Sequence, residues 1–254
     1  MEDCDCDTGA GGGGNQGGGG GGFFPPAQPE RTLERRYMFG NEFGQFMPHG
    51  NLTRAEAATI LTRTQLRDFA PSTNMLPPGM TSFTAFADVN PGDWFFHYVA
   101  WAYNAGLIQG FDGQFRPNDP VTREELAAMI VRTGIVHTAG TAGFGDFGQT
   151  SNWARPYVYT AYRQRLMVGD EQGNFNPLAN IDRASAATAF NRLLQRVDSR
   201  TAWNAAAVQN ASDARNFPDV GVDTWFFPSV VAAANDHYVT RNNAGVINWM
   251  EIVR

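Results

Sequence analysis

Three arginines stand in equivalent places along the chain: Arg54 in Leu52-Thr53-Arg54-Ala55-Glu56, Arg123 in Val121-Thr122-Arg123-Glu124-Glu125, and Arg183 in Ile181-Asp182-Arg183. Each follows a residue suited to cap a helix and opens an apolar run, which puts a guanidinium on the first turn. There a helix presents free amide donors and the positive end of its dipole, and an arginine adds a planar fork that fits a carboxylate. Such a site suits an anionic ligand. Trp94, Trp153 and Trp225 also recur, each at the start of another helical run. A partly exposed indole can stack on a sugar face while its N–H finds a polar partner. Each feature has a plainer reading too: the arginines can pair with neighbouring acids and tie units together, and the indoles can wedge adjacent units apart.

These residues recur because the chain is built from repeats, and a repeat period decides the architecture. In the unit from Phe86 to Arg132, Phe86 and Asp88 precede Trp94, Val99 and Ala102 follow at helical spacing, and Gly110, Gly113, Phe115 and Pro117 lead to the Arg123 motif. Phe144, Asp146, Trp153, Val158, Ala161, Gly169, Gly173, Phe175 and Pro177 repeat that order up to Arg183. A half copy near the start holds Gly40, Gly44, Phe46, Pro48 and the Arg54 motif; another near the end holds Phe217, Asp219, Val220, Trp225, Val230 and Ala233. The first half copy supplies what the last one lacks, so the two chain ends are expected to dock and complete a third unit.

The ordered set F-x-D-V, Trp, G-x-x-x-G-x-F-x-P and the T-R-A-E-like signature resembles the S-layer homology (SLH) family, over roughly four fifths of the chain. That resemblance implies a mainly α fold, a pseudo-threefold bundle of three helix-loop-helix repeats with one repeat completed by both chain ends. It implies an extracellular module that anchors proteins to the Gram-positive cell wall or S-layer. The implied partner is a secondary cell-wall polysaccharide carrying acidic groups such as pyruvate ketals, held in grooves between repeats. The implied ligand-binding residues are Arg54, Arg123 and Arg183, with Trp94, Trp153 and Trp225. A fused or self-associated surface-layer cargo is the further expected partner. The alternative is a structural or protein-interaction scaffold whose sugar grooves have decayed. A competent anchor should expose at least two arginines beside an indole; a decayed one should bury them in salt bridges.

Composition narrows the rest. Hydrophobic residues make up 43% of the 254, enough for a core, and the net charge of −6 argues against nucleic acid as the main partner. No apolar run approaches the roughly 20 residues that span a bilayer. The opening MEDCDCDTGA is acidic and lacks the basic and apolar parts of a secretion signal, at odds with a wall-bound protein. No cofactor is implied, and Cys4 and Cys6 alone are too few for a closed metal site. His49, His97, His137 and His237 fall in unrelated positions without a hydrolase or phosphate-loop motif, so no catalysis is expected.

The boundaries read as follows. Residues 1–34 form an acidic, Cys- and Gly-rich flexible spacer; 35–70, 86–133, 144–196 and 217–240 hold the half, full, full and half repeats; 241–254 is an apolar, β-prone tail. Connectors lie at 67–85 and 134–143, and an Ala-rich stretch between Val197 and Asn216 suggests an extra helix. Thr53 with Glu56 and Thr122 with Glu125 predict capping boxes, whereas Asp182 with Ser185 keeps half of one. Asp88, Asp146 and Asp219 are expected to cap local turns, and Gly44, Gly113 and Gly173 to take left-handed turn conformations. Phe46, Phe86, Phe115, Phe144, Phe175 and Phe217 are expected in the core. At the family's helix-terminal glycine, kept as Gly106, the later copies carry Arg165 and His237, so those helices should end differently or run on.

Overall fold

Thr122 accepts a hydrogen bond from the Glu125 amide, and the Glu125 carboxylate returns one from the Thr122 amide. The same exchange joins Thr53 and Glu56, with Thr53 N–H donating to Glu56 Oε2 at 2.9 Å. At the third position Asp182 accepts from the Ser185 amide but nothing is returned. These caps start α1 (Arg54–Leu66), α3 (Arg123–Val131) and α5 (Arg183–Leu193). The intervening helices are α2 (Phe96–Asn104), α4 (Arg155–Arg163) and α6 (Phe227–Ala234), the last two with proline in the first turn, where no amide donor is missed. This computed structural model describes residues 31–66, 83–196, 217–241 and 247–252. The Gly-rich spacer with Cys4 and Cys6, most of the 67–85 connector and the Ala-rich stretch lie outside them.

Helix α1 packs on α2, α3 on α4 and α5 on α6, so the second helix of each unit leans on the first helix of the next. The three second helices meet at their N-terminal ends. There Leu52 N–H donates to Ile181 O, Ile181 N–H to Val121 O and Val121 N–H to Leu52 O, each at 2.9 Å. The side chains of these three residues are almost wholly buried. Adjacent buried alanines, Ala57, Ala58, Ala127, Ala128, Ala186 and Ala187, leave room for close helix approach.

Phe46, Phe115 and Phe175 are fully buried, Phe86 nearly so, while Phe144 and Phe217 are partly buried against the same core. The expected turn-capping role of Asp88, Asp146 and Asp219 is corrected: each reaches across its repeat to the loop before a second helix. Asp88 accepts from the amides of Phe115 and Arg116, Asp146 from Phe175 and Asn176, and Asp219 from Phe46 and Met47, at 2.6–3.0 Å. Two convergent amides offer a carboxylate more than a turn of its own would.

The chain ends do meet. Strand β1 (Arg31–Glu34) pairs antiparallel with β2 (His237–Arg241), and β2 with β3 (Ile247–Ile252), the apolar tail. The register sets Glu34 opposite His237. Buried Arg196 adds a tie, donating to the Glu34 carboxylate at 2.9 Å and to Arg35 O at 2.6 Å.

The helix ends depart from expectation in part. Gly106 is left-handed at φ +72°, and Arg165 adopts the same conformation at φ +55°. Leu107 N–H bonds Ala102 O and Leu166 N–H bonds Ala161 O, each at 2.9 Å, so α4 ends as α2 does despite lacking the glycine. Only α6 differs: Asn235 is extended and feeds β2, where His237 is buried.

Candidate functional site

Each repeated arginine reaches into the neighbouring unit. Arg54 donates through Nε to Phe115 O (2.7 Å), through Nη2 to Gln109 O (2.9 Å) and through Nη1 to Glu125 Oε1 (2.8 Å). Arg183 does the same around the junction of the chain ends, to Phe46 O (2.8 Å), Phe39 O (2.7 Å) and Glu56 Oε1 (2.7 Å). Arg123 repeats two of the three, to Phe175 O (2.6 Å) and Val168 O (2.8 Å). Where the third acceptor would stand, helix α5 carries Ser185.

Electrostatics follow. Burial pulls all three guanidinium groups below their ordinary pKa; Glu125 opposes this at Arg54, Glu56 at Arg183, and Asp182 at Arg123. Arg54 has 6% of its side chain exposed and Arg183 12%, so both are sealed in salt bridges between units. Arg123 is half-buried and has no carboxylate oxygen within 4 Å among the described residues.

The expected free amides at these helix starts are absent, and the reason is the ring of contacts at the centre. The amides of Arg54 and Ala55 donate to Asp119 O and Pro117 O, those of Arg123 and Glu124 to Ala179 O and Pro177 O, and those of Arg183 and Ala184 to Gly50 O and Pro48 O. The next amide in each helix is taken by its cap. Helix-dipole anion binding through bare amides is therefore replaced by inter-unit bonding.

The indoles lie on the outside. Trp94, Trp153 and Trp225 are 61%, 50% and 66% exposed, so at least half of each stays open to solvent. Each walls a groove together with an arginine from another unit. Trp94 shares a groove of about 600 Å³ with Arg183 and Glu56. Trp153 shares one of about 270 Å³ with Arg54 and Glu125. Trp225 shares one of about 720 Å³ with Arg123 and Ser185. An exposed indole with buried polar hydrogen-bond donors and acceptors behind it is a surface that fits a sugar ring, apolar on its face and polar at its edge.

The S-layer homology domain profile matches residues 85–127 and 143–187, the two full repeats. The chain carries S-layer homology repeats. It is 33% identical over 174 residues to an amylopullulanase of Thermoanaerobacterium thermosulfurigenes, covering 66% of this chain and 9% of that protein. It is 30% identical over 164 residues to a surface-layer 125 kDa protein of Lysinibacillus sphaericus, covering 63% and 13%. It is 26% identical over 208 residues to a cellulosome-anchoring protein of Acetivibrio thermocellus, covering 79% and 42%. The chain thus spans less than half the length of each of these relatives.

Within the SLH repeats, Glu56 and Glu125 had a second role that a reading of caps misses. One oxygen of each carboxylate closes the capping box while the other pairs with an arginine of another unit, 71 positions away for Glu125 and 127 for Glu56. The sequence shows only that two of the three motifs keep the glutamate and the third carries Ser185 in its place.

Proposed function

We propose that this chain is a non-catalytic cell-surface anchoring module that holds an anionic secondary cell-wall polysaccharide, pyruvylated or otherwise acidic, in the grooves between its SLH repeats. The observation that carries this is the threefold recurrence of an exposed tryptophan sharing a groove with an arginine of another unit. Trp94, Trp153 and Trp225 stack on sugar faces. Arg123 meets the polymer's charge, while Arg54 and Arg183 hold groove walls in place from behind. Relatives named as surface-layer and cellulosome-anchoring proteins support a place at the cell surface. The likeness to an amylopullulanase covers only 9% of that enzyme and brings no catalytic role with it.

A second reading, a scaffold with decayed sugar grooves, is favoured by one observation: Arg54 and Arg183 are both spent in salt bridges. Co-sedimentation with Gram-positive wall sacculi, intact or chemically stripped of secondary polymer, separates the two. Anchoring requires binding to intact walls only, weakened at least tenfold in a folded Trp94→Ala, Trp153→Ala, Trp225→Ala variant. A folded wild-type chain that ignores walls from several sources would leave the scaffold reading.

A further inference from the structure

One buried carboxylate has no counterpart in the other units. Glu124, in the first turn of α3, is only 3% exposed, and the equivalent places in α1 and α5 hold the buried alanines Ala55 and Ala184. A charged side chain set where its siblings pack a methyl group costs stability unless a donor meets it. The donor is the Ser151 amide of the next unit, at 3.0 Å from Glu124 Oε2. No cationic side chain pairs with Glu124 among the described residues. The carboxylate is therefore committed to one loop amide, two positions before Trp153.

That loop is the odd one of three. Six positions separate Asp88 from Trp94 and Asp219 from Trp225, but seven separate Asp146 from Trp153. The shorter loops close on themselves through the side chain just before the tryptophan: Asp93 Oδ2 accepts the Asn90 amide at 2.7 Å, and the Thr224 hydroxyl donates to Gly221 O at 2.7 Å. Asn152 holds that place before Trp153 and forms no side-chain hydrogen bond among the described residues. The longer loop is gripped from its flanks. Arg155, in the first turn of α4, donates to Thr150 O and Gly148 O, each at 3.2 Å, and the Ser151 carbonyl accepts the amides of Ala154 (2.8 Å) and Arg155 (3.1 Å). With Glu124 on its amide, Ser151 is fixed at both of its backbone polar groups.

Glu124 is a firm point to hold from. Its own amide donates to Pro177 O at 3.0 Å, and that of Arg123 to Ala179 O at 2.9 Å, within the ring of inter-unit bonds at the centre of the fold. A charge-assisted bond from there to Ser151 steadies the turn that presents the half-exposed Trp153 indole to the groove shared with Arg54 and Glu125. At about 270 Å³ this is the smallest of the three grooves, where a tilt of the indole changes the opening most.

We propose that Glu124 is a positioning residue for this groove: from across the unit boundary it does for Trp153 what Asp93 and Thr224 do locally for Trp94 and Trp225, and it sets the pose of the indole. The proposal rests on the anchoring function above for what the indole then contacts, and deepens it by naming what orients one of the three stacking faces. Trp94 and Trp225 carry their own braces, so loss of Glu124 disturbs one groove alone.

The test uses the full chain labelled with 5-fluorotryptophan, each line assigned from its loss in a Trp→Phe variant at position 94, 153 or 225. Glu124→Ala installs the residue that the other two units pack at this place, and it should shift or broaden the Trp153 line while those of Trp94 and Trp225 stay put. Glu124→Gln keeps an oxygen for the Ser151 amide and should leave the Trp153 line near its wild-type position. Replacing residues 148–152 of the Glu124→Ala chain with the self-closing sequence of residues 90–93 should restore it. Ser151→Pro removes the donor with Glu124 intact and should reproduce the change at Trp153. An unmoved Trp153 line in Glu124→Ala or in Ser151→Pro overturns the proposal, and so does an equal change in all three lines, which marks a general loosening of the fold.

Co-sedimentation with intact wall sacculi keeps the two claims apart. Glu124→Ala should weaken binding about as much as Trp153→Ala, roughly threefold, and the double variant no more than either. Losses that multiply in the double variant overturn the proposal, because Glu124 then acts apart from the indole. A wild-type chain that ignores walls sinks the anchor, while the fluorine spectra still decide the role of Glu124.

Discussion

Asp219 accepts the backbone amide of Phe46 at 3.0 Å across 173 positions of sequence, repeating between the two chain ends the bond that Asp88 makes to Phe115 within one repeat. A single carboxylate thereby joins a half repeat at the start to a half repeat at the end. Asp219→Ala should destabilise the fold by about as much as Asp88→Ala, roughly 2–3 kcal/mol for two amides left without their charged acceptor. Urea denaturation of both variants measures this. A neutral Asp219→Ala beside a costly Asp88→Ala would mean that the ends are not docked in solution.

Glu125 is tied to both Arg54 and its own N-cap. Glu125→Ala leaves a guanidinium with 6% of its side chain exposed unpaired and opens the capping box, so a loss of about 3 kcal/mol is expected. The double variant Arg54→Met, Glu125→Ala should recover part of that loss, because the stranded charge is then gone. Thermal or denaturant unfolding gives the coupling directly.

Arg165 holds the left-handed position that Gly106 fills at the end of α2. A residue with a Cβ in that left-handed conformation strains the chain by about 1 kcal/mol, so Arg165→Gly should be neutral to stabilising by up to that amount and Gly106→Ala destabilising by a similar one. A Tm rise in the first and a fall in the second is the expected pair of outcomes.

His237 sits wholly buried on β2, and desolvation, the largest cause, pulls its pKa down to about 4 against a smaller upward pull from the Asn235 carbonyl; Arg196 pulls it further down, while Glu34 and Asp236 pull up. Its folded pKa lies below the unfolded value of about 6.5, so between those values the unfolded chain binds the extra proton. Stability from this group is present above about pH 6.5 and falls as pH drops toward 4, by roughly 2–3 kcal/mol at most. Comparing Tm from pH 7 to pH 4.5 in wild type and His237→Gln isolates it: the variant should show the shallower decline.

Trp94, Trp153 and Trp225 are each at least half exposed. Alanine at any one of them should shift stability by less than about 0.5 kcal/mol, the range of surface substitutions. A large drop in Tm would assign that indole to packing and remove it from the groove.

The repeat units, their helix starts and the meeting of the chain ends could all be read from residue order, because capping and turn chemistry are local and recur at fixed spacing. Thr53 with Glu56 and Thr122 with Glu125 determined helix starts by themselves, and Phe46, Phe115 and Phe175 determined core positions. What partners the arginines find was decided only in three dimensions. Arg54 meets Glu125 71 positions away, and Arg183 meets Glu56 127 positions away, distances over which sequence carries no pairing rule. Tertiary packing likewise consumed the helix-start amides that local chemistry would have left open, since each unit's loop carbonyls reach the next unit's first turn. It also turned Ser185, in sequence merely an incomplete cap, into an open corner beside Arg123: a missing side chain has consequences only where the fold has already brought its would-be partners together.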